Sequence, residues 1–283
     1  YFTGAIATSF KNPEDKISIK SSKQVSVCGG RDACLKILRG LEEFKNYTKT
    51  RDVPALATTH LSAHLKFGTC SVREIFYAIA NSLGRSSLLL KQLYWRDFFT
   101  TIVFYFPRVF GHAFREKYNH IVWSKSKKNF EAWCNGMTGF PLVDAGMREL
   151  NQTGFMHNRV RMVVASFLVK DLHLDWRWGE KYFAQKLVDY DPAVNNGNWQ
   201  WSASTGCDAQ PYFRIFNPWL QQKKYDPQAE YIKQWVPELK DLTVKQIHAW
   251  YKYEKELDIQ YPAPLIDHSE MAAQAKKMFS SVR

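Results

Sequence analysis

The stretch that decides the fold reads Asp-Tyr-Asp-Pro-Ala-Val-Asn-Asn-Gly-Asn-Trp-Gln-Trp, residues 189–201. Asp191 before Pro192 predicts a helix N-cap followed by the first helical residue, because proline fixes the backbone torsion that a helix start needs. The amide-rich run 195–198 predicts that the chain then turns, between two acids and two tryptophans. Carboxylates beside amides can bind the hydroxyl groups and ring nitrogens of a polar ligand. A capped turn over two core tryptophans explains the same residues without a ligand.

Helix signals dominate the rest of the chain from Gly29 onward. Residues 32–49 carry leucines at an amphipathic spacing, and short alternating runs of Val and Ile that would indicate strands are almost absent. Further helix starts are indicated by the capping boxes at 71–74 and 243–246, by Asp226-Pro227, and by Pro141, whose helix is expected to stop near Gly154. The sequence therefore predicts an all-α domain over residues 30–283, after a linker or lead-in over residues 1–29.

Composition and charge narrow the classes of partner. The chain has 283 residues, of which 45% are hydrophobic and 23% charged, which excludes an intrinsically disordered protein. A net charge of +12 favours a polyanionic partner such as nucleic acid over an acidic substrate. The longest apolar run, residues 98–106, is about half of the roughly 20 residues that a membrane span needs. The sequence therefore predicts no transmembrane helix and no membrane partner.

The cysteines and the start of the sequence indicate in which cellular compartment the protein is expected. Five cysteines are spread widely without a Cys-x-x-Cys pair, so neither a disulfide framework nor a zinc site is predicted. We expect reduced thiols in an intracellular protein, located wherever its nucleic acid is. The chain begins with Tyr1 and shows no charged-then-apolar leader, which predicts no signal peptide and favours a fragment of a longer protein.

A second informative stretch, residues 155–162, predicts a helix that runs to about Leu172. On a helical period Asn158, Arg161 and Met162 share one face, while Arg159 points elsewhere. A buried arginine needs a carboxylate partner, and Asp189 is the natural candidate. The alternative is that both arginines are solvated.

Two further stretches suit contacts with phosphates and bases. The hydroxyl-rich loop 58–62 can bind phosphate through hydroxyl and amide groups, although most such clusters are ordinary turns. Gln92, Trp95, Arg96 and Phe99 occupy adjoining helical positions, and this combination of amide, ring and cation suits nucleobase contact. An interfacial tryptophan is the commoner explanation of such a ring.

Taken together, these stretches resemble the helical FAD-binding domain of the photolyase/cryptochrome flavoprotein family. The resemblance covers roughly residues 30–270, and its specificity comes from several motifs in the same order. The matching segments are 58–62, 93–98, 139–145, 156–162, 165–170, 195–201 and 211–218.

The resemblance implies FAD as the cofactor and assigns the residues around it. The loop 58–62 would hold the phosphates and ribityl chain, Arg161 would pair with Asp189, and Asn195 would face flavin N5. An amide can hydrogen-bond N5 without driving its protonation, as suits the fully reduced flavin of a photolyase. The complete set of implied cofactor residues is Tyr47, Thr58, Thr59, His60, Leu61, Ser62, Asn158, Arg161, Asp189, Tyr190, Asp191 and Asn195.

The resemblance also implies an electron relay and a DNA surface. Trp199, Trp176 and Trp123 match the tryptophan chain that passes an electron from the protein surface to the flavin. The residues implied near a flipped pyrimidine dimer or the surrounding DNA are Arg51, Gln92, Trp95, Arg96, Asn158, Arg159, Met162, Trp201 and Gln221.

Departures from the family pattern keep alternatives open. Gln92 stands where photolyases of cyclobutane dimers usually carry Glu, and (6-4) photolyases resemble this chain there. His157-Asn158 argues against the (6-4) class, which has two consecutive His. Phe155 and His60 replace the more usual Trp and Arg, and we expect both changes to be tolerated. No upstream antenna domain is present in the sequence, so no second chromophore is predicted for this chain.

The sequence thus predicts a light-dependent lyase that repairs cyclobutane pyrimidine dimers in damaged DNA, using FAD. A separate amino-terminal antenna domain or chain is a possible further partner. The alternatives are a cryptochrome-like blue-light sensor, a (6-4) photolyase and a flavin-free DNA-binding module.

Overall fold

The structure is a computed structural model that describes residues 26–282. This part of the chain folds into helices and connecting loops without a β-strand; an isolated parallel bridge joins Ser124 to Leu174. The all-α prediction is confirmed. The predicted lead-in, residues 1–29, lies outside the described residues except for 26–29, which are not helical. No described helix is long and apolar enough to cross a membrane.

The α-helices follow one another with short loops between them. In chain order they are α1 (Arg31–Arg39), α2 (Tyr47–Thr50), α3 (Leu61–Phe67), α4 (Val72–Leu83), α5 (Leu88–Tyr105), α6 (Lys127–Asn135), α7 (Pro141–Thr153), α8 (Asn158–Ser166), α9 (Trp176–Lys186), α10 (Pro192–Ala203), α11 (Pro218–Tyr225), α12 (Glu230–Trp235), α13 (Val244–His248), α14 (Trp250–Tyr253) and α15 (His268–Ser280). A π-helical turn, Phe167–Asp171, continues α8. Short 3₁₀ turns lie at Leu41–Phe44, Pro107–Val109, Glu116–His120 and Pro237–Leu239.

Helix α10 lies at the centre of the arrangement. It packs against α9, α5 and α8, so three helices with candidate functional residues meet around it. The larger apolar core lies on this side, and buried tryptophans fill much of it: Trp133, Trp176 and Trp199. A smaller core beneath α1, α4 and the start of α5 is built from Leu41, Ile75 and similar side chains.

Most predicted helix starts are confirmed. Helix α7 begins at Pro141 and ends before Gly154, whose positive φ of 71° suits glycine. Thr243 and Gln246 form the predicted reciprocal capping box of α13. At Ser71 only half of the box is present, because Glu74 instead binds Arg31 through two hydrogen bonds of 3.0 and 2.8 Å.

Three sequence predictions are wrong in detail. Residues 195–198 form no turn, because helix α10 continues through them to Ala203. The amphipathic segment 32–49 is interrupted at Gly40, where α1 ends and a 3₁₀ turn follows. Helix α12 begins at Glu230 rather than after Asp226; the Asp226 carboxylate nevertheless accepts hydrogen bonds from two backbone amides at its start.

Candidate functional site

An ion pair between α8 and the loop before α10 lies at the centre of the site. Arg161 donates hydrogen bonds of 3.2 and 3.0 Å to the two carboxylate oxygens of Asp189. The hydroxyl of Ser62, on α3, donates to the same carboxylate at 2.7 Å. The Arg161 Nε atom also donates to the carbonyl of Met156 at 2.7 Å. The predicted Arg161–Asp189 pair is therefore confirmed, and Ser62 joins it from a third element.

The ion pair fixes a buried charge. The Asp189 side chain is 4% exposed, and that of Arg161 is 24% exposed. Burial alone favours the neutral carboxyl, but the Arg161 charge and the hydrogen bonds from Arg161 and Ser62 hold the pKa of Asp189 below its ordinary value. The pair is consequently ionised at neutral pH. Arg161 keeps part of its guanidinium accessible to an anionic or hydroxylated ligand.

His60 and Phe155, two of the departures from the family pattern, contact one another beside this pair. Their ring centroids lie 4.3 Å apart, and the Arg161 guanidinium lies 5.2 Å from the centroid of Phe155. Within residues 26–282 the His60 Nδ1 atom is buried without a hydrogen-bond partner. Burial, with a smaller contribution from Arg161, outweighs the Asp189 charge and lowers the pKa of His60. A neutral imidazole with a free ring nitrogen thus lies within the predicted phosphate loop, residues 58–62.

The loop 58–62 is itself held by local contacts. The buried hydroxyl of Thr59 accepts a hydrogen bond of 3.4 Å from the amide of Leu61, the first residue of α3. Tyr47, on α2, packs against the smaller core, and the Arg51 guanidinium lies 5.9 Å from its ring centroid. Thr58 borders an open cavity shared with His60 and His157. The loop therefore leads directly into α3, which carries Ser62, while Tyr47 packs on the same smaller core as Leu61.

Residues 190–196 connect the ion pair to α10. Asp191 is the N-cap of α10, since its carboxylate accepts a 3.0 Å hydrogen bond from the amide of Val194. The ring of Tyr190 lies 5.8 Å from the ammonium of Lys66. Asn195 is buried and donates at 3.1 Å to the carbonyl of Glu180 on α9. Its neighbour Asn196 donates at 2.9 Å to the Glu180 carboxylate. One Asp191 oxygen is therefore already bound by its own helix.

Arg159 points away from Arg161, as predicted, and has its own carboxylate. It donates hydrogen bonds of 3.2 and 2.8 Å to one oxygen of Asp52, and its guanidinium lies 4.2 Å from the ring centroid of Tyr225. Arg51 lies 3.9 Å from the same Asp52. Sequence reasoning missed Asp52 and Tyr225, because no spacing links a loop at 52 to helices at 159 and 225. Two of the three candidate DNA arginines, Arg51 and Arg159, thus meet at one acidic residue.

Further candidate DNA-binding residues lie on helices α8, α5 and α11. Asn158 and Met162 occupy one face of α8, with the Asn158 amide 3.8 Å from the Met162 sulfur. On α5, Trp95 is 47% exposed and its ring stacks on Phe99 with centroids 6.1 Å apart. Gln92 donates at 3.0 Å to the carbonyl of Leu88 within its own helix, and Arg96 lies 3.5 Å from Asp97. On α11, Gln221 has a buried side-chain oxygen without a partner among the described residues.

Phe99 connects α5 to α10. It lines a narrow pocket together with Gly197 and Trp201 of α10. A side chain at Gly197 would collide with the ring, because an added Cβ would lie 2.0 Å from Phe99. Trp95, Phe99 and Trp201 are thus brought into one aromatic surface. The glycine that permits this approach was not identified as functional from the sequence.

The three predicted relay tryptophans lie on elements that contact one another. Two of the side chains are buried and one is half-buried. Trp199 is 2% exposed and packs against α9 at Gly179, where an added Cβ would lie 2.1 Å from the indole. Trp176 is 1% exposed and is the first residue of α9. Trp123 is half-buried, and the next residue, Ser124, bridges to Leu174, two residues before Trp176. Of the three, Trp123 is therefore the one nearest to solvent, and Trp176 and Trp199 are both buried.

Comparison with known families agrees with this geometry. The family model described as the FAD-binding domain of DNA photolyase matches residues 89–281. The chain belongs to this family. The predicted resemblance is confirmed, and the FAD prediction agrees with the family description.

Individual photolyases show the same similarity. Proteins named deoxyribodipyrimidine photo-lyase from Vibrio cholerae and Escherichia coli are 44% and 43% identical to this chain, over 250 and 247 residues. These alignments cover 86% and 84% of this chain but 53% and 52% of the relatives. The chain therefore spans about half the length of these curated relatives.

Solved structures extend the similarity to both branches of the family. An archaeal photolyase from Sulfolobus tokodaii, with two FAD molecules, superimposes with a TM-score of 0.84 at 48% identity, covering 93% of this chain and 59% of that one. A cryptochrome from Synechocystis superimposes with a TM-score of 0.81 at 36% identity, covering 91% and 57%. The helical fold is thus shared by repair enzymes and by a cryptochrome.

Proposed function

We propose that this chain binds FAD and carries out light-driven repair of cyclobutane pyrimidine dimers in DNA. The observation that carries the proposal is the pairing of Arg161 with Asp189 beside the packed α8–α10–α9 unit that bears Asn195 and Trp199. The relatives named deoxyribodipyrimidine photo-lyase support the same activity. The proposal covers the reaction, its substrate and its partner.

The donor set suits FAD. Ser62, Arg161 and the unpartnered Nδ1 atom of His60 can bind phosphate and hydroxyl groups, while the buried amide of Asn195 suits a ring nitrogen. When bound and reduced, FAD supplies the electron donor that light excites. The chain's own part is to bind the cofactor and to exclude water from it. It also passes electrons from the protein surface to the cofactor, through Trp123, Trp176 and Trp199.

The substrate side of the proposal rests on the aromatic surface and on charge. Trp95 is exposed enough to stack on an extrahelical base. The buried ring of Phe99 lies beside it and contacts the pocket lined by the half-buried Trp201 of α10. Repair of a lesion inside duplex DNA requires that the dimer be flipped out, which is less costly for a dimer because it pairs poorly. The net charge of +12 supplies salt-dependent attraction to phosphates.

Two alternatives have specific support. Gln92 favours a (6-4) photolyase, and the shared fold of the Synechocystis cryptochrome, with a TM-score of 0.81, makes a light sensor the other alternative. The fold is common to all three, so only the substrate distinguishes them. An antenna domain or chain upstream, the domain bounds 30–283 and the intracellular location stay predictions.

The test is a repair assay with the flavin already reduced. The purified chain is mixed with oligonucleotides that contain either a cyclobutane dimer or a (6-4) lesion and illuminated in the near ultraviolet, and restored bases are measured by chromatography. Repair of the cyclobutane dimer, dependent on light, is the expected result. Repair of the (6-4) lesion alone would move the assignment to that class, and a yellow protein that repairs neither would indicate a sensor. A colourless protein would leave only a DNA-binding module.

A further inference from the structure

The C-terminal helix α15 ends on the outermost tryptophan of the predicted relay. Phe279, one residue before the end of α15, is 1% exposed. Its ring packs edge-to-face on Trp123, with centroids 5.9 Å apart and planes at 76°. A side chain more than 150 positions away in sequence therefore sets one wall of the Trp123 site.

Phe279 is held in place from several sides. Tyr212 stacks on it with planes at 4° and centroids 6.2 Å apart, and Tyr118 lies 5.8 Å away. The Nζ atom of Lys170 lies 3.4 Å from the ring centroid and donates at 3.0 Å to the hydroxyl of Ser204. Burial lowers the pKa of Lys170 well below its ordinary value, which favours the uncharged amine at this position. The ring is thus enclosed rather than loosely packed.

The start of α15 is attached to the same segment of chain. His268 binds the buried carboxylate of Asp171 at 2.5 Å. A ring nitrogen of His173 lies 3.0 Å from the carbonyl of Met271. Residues 171 and 173 lead directly to Trp176, and the His173 carbonyl accepts a 2.8 Å hydrogen bond from the amide of Ser124, next to Trp123. Helix α15 therefore contacts the segments that carry both outer tryptophans.

We propose that Phe279 is a positioning residue that holds Trp123 in the geometry needed for electron transfer to Trp176. The inference rests on the proposed function, because it assumes that Trp123, Trp176 and Trp199 form a relay. In such a relay Trp199 would give one electron toward the bound cofactor, Trp176 would give one electron to Trp199, and Trp123 would give one to Trp176. A thiol in solution then gives one electron to Trp123 and is itself oxidised, losing its proton to water.

The expected effect of a Phe279 substitution on the rate of flavin reduction follows from the sensitivity of reaction rates to the positions of the reacting groups. A displacement of about 1 Å at a reacting group can cost on the order of a hundredfold in rate. Phe279→Leu removes the ring but keeps an apolar side chain, so Trp123 gains freedom while the core stays apolar. We expect light-driven flavin reduction with an added thiol to slow by about tenfold, within that bound. Phe279→Met, whose longer and more flexible side chain can adapt to the shape of the site, is the second variant in case the first does not fold.

The experiment compares these variants with Phe76→Leu, a matched substitution on α4 whose ring contacts Tyr77 and Tyr94 and no relay tryptophan. Dimer repair with chemically reduced flavin should be unchanged in all of them. In flavin-free protein, acrylamide should quench more tryptophan fluorescence in Phe279→Leu than in wild type. This increase should disappear when Trp123→Phe is added, because Trp123 is its source.

The outcomes separate this inference from the proposed function. A folded Phe279→Leu or Phe279→Met variant that reduces its flavin at the wild-type rate would overturn the role of Phe279. An equal loss of repair with pre-reduced flavin would also overturn it, since general damage would then explain the slow reduction. If Trp199→Phe reduces its flavin normally, the relay itself is absent and the fault lies in the proposed function.

Discussion

Arg161 and Asp189, on different elements, meet in a two-pronged ion pair with hydrogen bonds of 3.2 and 3.0 Å. Two residues earlier on the same helix, Arg159 makes the corresponding contact with Asp52, whose side chain is 36% exposed against 4% for Asp189. The two pairs therefore differ in the burial of their acids, whereas the Arg159 and Arg161 side chains are both largely buried, at 13% and 24% exposed. This difference in burial makes them a matched test of cofactor binding against DNA binding.

Asp189→Asn should lower FAD content sharply, whereas Asp52→Asn should leave it unchanged. Removing one partner of a buried ion pair leaves the other charge uncompensated, at a cost of about 3–5 kcal/mol, while an exposed pair contributes about 0–1 kcal/mol. The ratio of flavin absorbance to protein absorbance after purification measures the effect, with circular dichroism as the check on folding. Equal flavin content in the two folded variants would contradict the assignment of Asp189.

Gly179→Ala should destabilise the protein and disturb Trp199. The added Cβ would lie 2.1 Å from the indole and 2.6 Å from Leu168, and neither can move freely in a packed core. Overpacking of this kind costs about 1–3 kcal/mol. The matched control is Gly40→Ala, whose nearest atoms would lie 3.7 Å away and which should change stability by at most about 0.5 kcal/mol. Urea unfolding, followed by tryptophan fluorescence, measures the stability of both variants. Similar unfolding midpoints would contradict the prediction, because α9 would then move to accommodate the added methyl group.

The sequence allowed prediction of contacts that depend on local chemistry and missed those that depend on packing. Asp191 and Pro192 indicate a helix start on their own, and a buried Arg161 requires an acid, so both features were predictable. The run 195–198 was interpreted as a turn because asparagine and glycine favour turns in isolation. In the structure the buried contacts of Asn195 and Asn196 with Glu180 of α9 keep these residues helical. Tertiary contacts of this kind outweigh local propensity.

Contacts between distant segments were likewise out of reach. Nothing in the spacing of residues connects Asp52 to Arg159, Phe99 to Gly197, or Phe279 to Trp123. Each of these contacts follows from how the helices are arranged around α10. A resemblance to a family could assign Trp123 to a relay, but it could not indicate what holds Trp123 in place.

The free energy of unfolding should decrease as the pH falls below the pKa of an ordinary histidine, because His157 is buried. Burial, together with the charge of Arg161, lowers the pKa of His157 to about 4. An unfolded histidine has a pKa of about 6.5, so between these values the unfolded chain binds a proton that the folded chain does not. The free energy of unfolding therefore decreases as the pH falls from about 6.5 to about 4, by about 3 kcal/mol at most.

His157→Asn is the variant that isolates this effect. The His157 Nδ1 atom caps α8 by accepting a 3.1 Å hydrogen bond from the Arg159 amide, and asparagine is a good N-cap that does not titrate in this range. Urea unfolding at several pH values should show a flatter pH dependence for the variant than for wild type. The raised pKa values of Asp144 and Asp171, both about 6, are common to both proteins and cancel in the comparison. Parallel curves would exclude His157 as the cause.

Gln92 and Trp95 should affect repair in different ways. Gln92 uses one amide hydrogen within its own helix, at 3.0 Å from the Leu88 carbonyl, and a second hydrogen remains for a lesion carbonyl. A hydrogen bond to a charged acceptor is worth about 1.5–3 kcal/mol, and about 1.4 kcal/mol is a factor of ten. Gln92→Ala should therefore lower the repair quantum yield or the affinity for the dimer by about tenfold. Gln92→Glu should retain or raise dimer repair.

Trp95→Ala should weaken dimer binding through lost stacking, by about 1–3 kcal/mol, while leaving the yield per bound dimer largely intact. The ring contacts Phe98 and Phe99, and its 47% exposure leaves a surface on which a base can stack. Both sets of variants are measured with pre-reduced flavin on cyclobutane and (6-4) oligonucleotides, separating affinity from yield by titration. An unchanged affinity in Trp95→Ala would place the lesion elsewhere on the surface. A Gln92→Glu variant that gains cyclobutane repair from a wild type lacking it would show that this single side chain sets the lesion class.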